Sequence, residues 1–193
     1  TVAVTGGPTI GYNYDAAERL VRKDSSGAVV RYYLWDGANL LAELNGAATA
    51  EVAEYSYYPG LDNPHAIVTG GVEYSIHTDG LGSVVTVTDS SKAIKRTYNY
   101  DAWGILTGGN DNLPFQGKDR VRWKGGLWLG NEANLYYMRH RWYEPSSGRF
   151  LSEDPLQSGG EINPYVYVGN DPVNSRDPLG LCKDGEELWQ VYL

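Results

Sequence analysis

The chain has 193 residues, enough for one sizeable domain or two small ones, and its 41% hydrophobic and 21% charged content is that of a folded protein. A formal net charge of −8 argues against nucleic acid as the main partner, because a phosphate-binding surface needs a basic excess. A single cysteine excludes an internal disulfide framework, and no apolar run approaches the ~20 residues of a membrane span.

Sixteen Tyr and six Trp stand against two Phe and one Met. Tyr and Trp join a broad apolar face to a polar tip, which suits β surfaces packed on one side and wet on the other. With 24 Gly and nine Pro, the composition predicts an all-β, turn-rich fold. The first residues, Thr1-Val2-Ala3-Val4, read as the middle of a strand and not as a signal peptide, so a piece of a longer protein is expected.

In chain order, an aromatic-plus-Asp signature recurs. Tyr14-Asp15 and Trp35-Asp36 come first, then Thr78-Asp79 and Tyr100-Asp101, with Asp intervals of 21, 43 and 22 residues. "YSYYPG" (Tyr55 to Gly60) fills the long gap as a degenerate copy, so the period is about 21 residues. Val84, Thr86 and Thr88 alternate with Val85 and Val87, "DSSK" supplies a turn, and Ile94, Arg96, Tyr98 and Tyr100 alternate again: a hairpin. The Asp at each strand end can accept backbone N–H bonds and close the next turn. Such units bury a face only by stacking on their neighbours, which predicts one long antiparallel sheet that curls.

After about residue 108 the repeat is lost. "GGNDNLPFQGKDR" (108–120) reads as a loop. "LYYMRHRWY" alternates as a strand, with Tyr136, Met138, His140 and Trp142 on one face and Leu135, Tyr137, Arg139, Arg141 and Tyr143 on the other. Its basic run "RHR" reads as a solvated sheet face. "EPSSG" is a turn, and short strands with Asn/Asp-Pro turns follow. The repeat region thus covers 1–108, and a stretch of different pattern follows it.

Four stretches, "HTDGLGS", "YDAWG", "LYYMRHRWYEPSSGRFLSEDP" and "NDPVNSRDPLGL", together resemble the RHS/YD-repeat proteins. The resemblance implies a repeat sheet that spirals into a hollow shell around a C-terminal toxin or effector, with the core region plugging one end. It also implies an aspartic-type activity that cuts after the DPxGL motif, here between Leu181 and Cys182, as in bacterial polymorphic toxins and toxin-complex subunits. The parent would be secreted or exposed at the cell surface. Its partners would be its own C-terminal effector, the remaining shell repeats and delivery proteins. The resemblance divides the chain into repeats over 1–108, a core region over 109–181 and the start of a variable segment over 182–193; five repeats are too few to close a shell, and only 12 residues follow the implied cut.

Carboxylate peptide hydrolysis needs two carboxyl groups sharing one proton, since like charges at close range cannot both ionise. Asp154, Asp171 and Asp177 are each followed by Pro, and by themselves read as turn starters. The resemblance places Asp154 and Asp177, 23 residues apart, on the family's paired aspartates, with Asp171 an alternative second carboxylate. It also matches Arg149 to a basic residue that would orient a carboxylate. Cys182 raises a thiol acyl shift as another chemistry, against an ordinary thiol. His65, His77 and His140 are scattered without metal-ligand spacing, so neither metal nor cofactor is expected. The competing reading is a non-catalytic scaffold whose exposed aromatics bind protein or sugar. Open sheet edges would favour self-association.

Overall fold

The computed structural model describes residues 2–3, 7–111, 120–129, 134–156 and 163–181. Eleven strands form one antiparallel sheet in strict sequence order: β1 (Val2–Ala3), β2 (Thr9–Tyr14), β3 (Leu20–Ser25), β4 (Ala28–Asp36), β5 (Asn39–Asn45), β6 (Glu51–Tyr57), β7 (Pro64–Thr69), β8 (Val72–Thr78), β9 (Val84–Thr88), β10 (Ile94–Tyr100) and β11 (Leu106–Asp111). A second sheet holds β12 (Leu127–Trp128), β13 (Tyr136–Met138), β14 (Arg141–Glu144) and β15 (Arg149–Phe150). The all-β repeat strip and the hairpin between Thr88 and Ile94 are as the sequence predicts. Gly108–Asp111, expected as loop, instead continue β11 by pairing with Arg96 to Asn99.

The repeat has a clear physical content. Asp15, Asp79 and Asp101 each direct Oδ1 at the backbone N–H groups two and four residues on, at 2.8–3.0 Å. The Asp therefore supplies the acceptor that a tight turn would otherwise leave to water. One residue earlier the pairing register slips in all five repeats, at Asn13/Tyr14, Leu34/Trp35, Ser56/Tyr57, His77/Thr78 and Asn99/Tyr100. A slip of this kind, as in a β-bulge, increases the local right-handed twist, and here it recurs at the same place in every repeat.

The meander topology puts these five turns at one end of the strip, and the core region packs across that end. Tyr137 Oη donates to Glu18 O (3.0 Å) and accepts from Leu20 N (3.0 Å) at the first turn. At the fourth, Val84 N donates to Arg122 O (3.1 Å). At the fifth, Tyr136 and Tyr143 donate to Gly104 O and Trp103 O at 3.0 and 2.8 Å. The inward face of the strip, including Leu20, Tyr33, Leu40, Tyr55, Ile67, Val87 and Tyr98, forms one apolar cluster with Val121, Leu127, Leu129 and Tyr137 of the core region. On the opposite face Leu34 and Leu41 are exposed, which is the alternation a one-sided sheet requires.

Charge is also buried at this junction. Glu43 is fully buried, accepts from Tyr55 Oη (3.0 Å), and lies 3.4–3.5 Å from Arg120 and Arg31, while Arg120 N donates to Tyr55 Oη (2.9 Å). Lys124 donates to Pro172 O and to Ser175 O (2.5 Å), fastening the last described segment to the core. Burial lowers the Lys124 ammonium from 10.5 to about 8.

Replacing Tyr55 by Phe deprives both Glu43 and the Arg120 amide of a buried partner and is expected to cost about 1–3 kcal/mol in urea unfolding. A second expectation concerns pH. Between pH about 8 and 10.5 the unfolded chain keeps the Lys124 proton that the folded chain loses, so folding stability gains with rising pH. The stability difference between the native chain and Lys124→Met should be flat below pH 8 and shift in favour of the native chain from pH 8 to 10; a flat difference throughout would refute this.

Candidate active site

The stretch read as one alternating strand is a hairpin. Met138 pairs with Arg141, and Arg139-His140 form the two-residue turn, with Arg139 at φ +59°. This turn points all three basic side chains at the segment before Leu181. Arg139 Nη1 donates to Pro178 O. His140 donates to Leu179 O from both its backbone N (3.1 Å) and Nδ1 (3.0 Å). Arg141 Nε donates to Gly180 O at 2.5 Å. Three successive residues thus hold three successive carbonyls. The expectation of a solvated "RHR" face is corrected: Arg141 is 3% and Arg139 11% exposed, because their charges are matched inside the protein.

Arg141 also joins two of the predicted carboxylates. Its Nη2 lies 3.2 Å from Asp154 Oδ2 and 3.1 Å from Asp177 Oδ2, so both oxygens meet at one nitrogen. Its Nη1 donates to Pro164 O (3.3 Å), and its guanidinium carbon sits 3.7 Å from the Phe150 ring centroid. Behind it, Trp123, Tyr143, Phe150 and Tyr167 form a close aromatic cluster. A guanidinium held by a ring face and four oxygens has little freedom to move, which is what positions the carboxylates.

The two aspartates differ in surroundings. Asp177 is 2% exposed, and its Oδ1 accepts from Leu181 N (3.0 Å), the same four-residue reach that the repeat aspartates use. Asp154 follows β15, is 16% exposed, accepts from Leu156 N (2.9 Å), and is fixed by its own N–H on Pro164 O (3.1 Å). Gly180 lies at φ +70°, and a Cβ there would stand 2.4 Å from Met138 O, so only glycine lets the segment lie flat on the hairpin.

Asp171 is not brought to this place. It is exposed and serves its own turn, accepting from Asn174 Nδ2 (2.9 Å) and, at its carbonyl, from Ser175 N (3.1 Å). Arg149 is likewise exposed, on edge strand β15 opposite Glu144 and bridged to Val166; the guanidinium beside the carboxylates belongs to Arg141, eight residues earlier. Cys182 lies outside the described residues. Sequence reasoning missed Arg141, although one signal was present: Arg139 and Arg141 alternate with Tyr137 and Tyr143 on a face otherwise apolar. Among the described residues, no group of three or more His, Cys, Asp or Glu could hold a metal ion, and no helix is long and apolar enough to cross a membrane.

The comparisons with known proteins agree with this architecture. The model of the teneurin YD-shell family matches residues 2–173. The tRNA3(Ser)-specific nuclease WapA of Bacillus spizizenii is 32% identical over 190 residues, covering 95% of this chain and 8% of the relative. The toxin protein Tse5 of Pseudomonas aeruginosa is 36% identical over 105 residues, covering 54% of this chain and again 8% of the relative. The chain therefore spans a small part of the length of these relatives. A chain in the structure of the Photorhabdus luminescens Tc holotoxin pore superposes with a TM-score of 0.70 at 20% identity, covering 94% of this chain and 9% of that one, which establishes the common fold. The recurrent Asp turns, the strip and the core packed across its end make this chain a member of the RHS/YD-repeat proteins, in the teneurin YD-shell family.

Proposed function

We propose that this chain is the end of a toxin-enclosing β-shell that cuts itself between Leu181 and Cys182, releasing a C-terminal effector within the shell. The observation that carries the reading is the meeting of Asp154 and Asp177 at Arg141, beside a segment whose backbone carbonyls are held one by one. Asp154, the more exposed of the two, is the base that takes a proton from water. Asp177, enclosed beside the segment, is the acid that polarises the Leu181 carbonyl. The water oxygen bonds to the Leu181 carbonyl carbon, the bond to the Cys182 nitrogen breaks, and the nitrogen leaves with a proton as an amine. Arg141 balances part of the charge, so two carboxyl groups and one proton can share the place, and it aligns Gly180 through the same guanidinium.

The demand on such a site is modest. A half-time of about ten minutes needs a barrier of about 21–22 kcal/mol, which a preorganised single-turnover site can meet. The nuclease and toxin names of the relatives support a delivered parent protein, secreted or at the cell surface, with the cargo beyond Leu181 and further shell repeats or delivery proteins as partners.

The test is intact mass against time for the chain made by cell-free synthesis. Asp154→Asn and Asp177→Asn should leave the chain whole, and Arg141→Lys should slow cutting by at least about 100-fold, the scale expected when a positioned charge is lost. Arg149→Ala should cut at the native rate. A native chain that stays whole while folded would instead mark Arg141 and its two aspartates as a structural ion lock in a non-catalytic scaffold.

A further inference from the structure

The turn of the third repeat departs from those of the first, fourth and fifth. Where Asp15, Asp79 and Asp101 each donate their backbone N–H to a carbonyl four residues on, Tyr58 N reaches Asn63 O, five residues on, at 2.9 Å. The turn is one residue longer and carries its aspartate at position 62. That aspartate has φ +53°, is 3% exposed, and donates its own N–H to Asn39 Oδ1 (3.2 Å) in the neighbouring turn. Its carboxylate meets Arg139 as a fork, Oδ2 to Nη1 at 2.9 Å and Oδ1 to Nη2 at 2.5 Å. Gly125 of the core region passes so near that a Cβ there would lie 2.3 Å from Asp62 Cβ. The copy that looks degenerate in sequence is thus the one that sends a buried charge into the core region.

Arg139 has two further partners. Its Nε donates to Ala38 O (2.7 Å), in the turn between β4 and β5, and its Nη1 donates to Pro178 O. One guanidinium therefore spans two repeat turns and the first carbonyl of the segment before the cut. The next two residues, His140 and Arg141, hold the next two carbonyls, so the setting of Arg139 fixes the register of all three contacts.

We infer that Asp62 is a positioning residue that, through Arg139, places the Pro178–Gly180 segment on the Asp154–Asp177 pair, so that cutting waits until the second and third repeat turns are assembled. The inference rests on the self-cleavage reading for its consequence, but the placement can be measured by itself. Asp62 touches none of the reacting atoms. It acts by denying Arg139 any other orientation, since a buried guanidinium without its carboxylate would turn toward water or another acceptor.

The experiment has two arms, each on the whole chain. In the first, the cutting rate per folded molecule is followed by intact mass for the native chain, Asp62→Asn and Arg139→Lys. Asn keeps the size of Asp without its charge, and Lys keeps a cation without the fork; each should cut at least about tenfold more slowly, with the strip still folded. Should Asp62→Asn fail to fold, Arg139→Lys alone decides this arm. In the second arm, the uncut Asp154→Asn chain is compared with and without Arg139→Lys or Asp62→Asn by amide hydrogen exchange. Faster exchange at His140 and Leu181, with β9 and β10 unchanged, is expected. Native cutting rates per folded molecule together with unchanged exchange at those amides overturn the inference, as does exchange that rises evenly over the whole strip. A native chain that never cuts overturns the self-cleavage reading, and the exchange arm then decides the placement independently.

Discussion

The core region depends on one buried cation. Arg141 has its guanidinium against the Phe150 ring, both carboxylates at one nitrogen, and the Gly180 carbonyl at another. Burying an unpaired guanidinium is prohibitive, so the partners must arrive together. That requirement draws β14, the segment after β15 and the final segment to one place. The aromatic cluster behind it, tied to the fifth repeat turn through Trp103 O and Gly104 O, sets the depth at which they meet.

The same side-chain chemistry serves the strip and the site. A repeat aspartate closes its turn with Oδ1, and Asp177 does so on Leu181. What differs is the fate of Oδ2, which in Asp177 is turned inward to Arg141. A turn residue needs only one oxygen for its local task, leaving the other for a distant partner. On the proposed reading, the site is an ordinary repeat turn whose spare oxygen has been given a cation and a neighbour, and part of its machinery is the chain it cuts.

The strip was legible because its signals are local and repeated. The Tyr-Asp period, the alternation from Val84 to Tyr100 and the turn residues between them each specify a hairpin without reference to the rest of the chain. Only the family resemblance pairs Asp154 with Asp177 in the sequence, since no spacing rule joins residues 23 apart; the structure brings both to Arg141. The identity of the cation was not legible. Arg139, Arg141 and Arg149 all sit on strand-like stretches, and only the hairpin turn at 139–140, made possible by a left-handed Arg139, decides which points inward. Alternation assumed to run straight through Met138 and Arg141 hid that turn. The extra residue in the third repeat was equally hidden, since it reads as a lost signature and not as a relocated one.

On the proposed reading, Asp154 and Asp177 hydrolyse one particular peptide bond with water. Folding the chain in water enriched in oxygen-18 and sequencing both products by mass spectrometry tests it most directly. The expected products are a shorter one beginning at Cys182 and a longer one whose new Leu181 carboxylate carries one heavy oxygen. Cutting at Asp154–Pro155, Asp171–Pro172 or Asp177–Pro178, or a folded chain that yields no product, would contradict that reading.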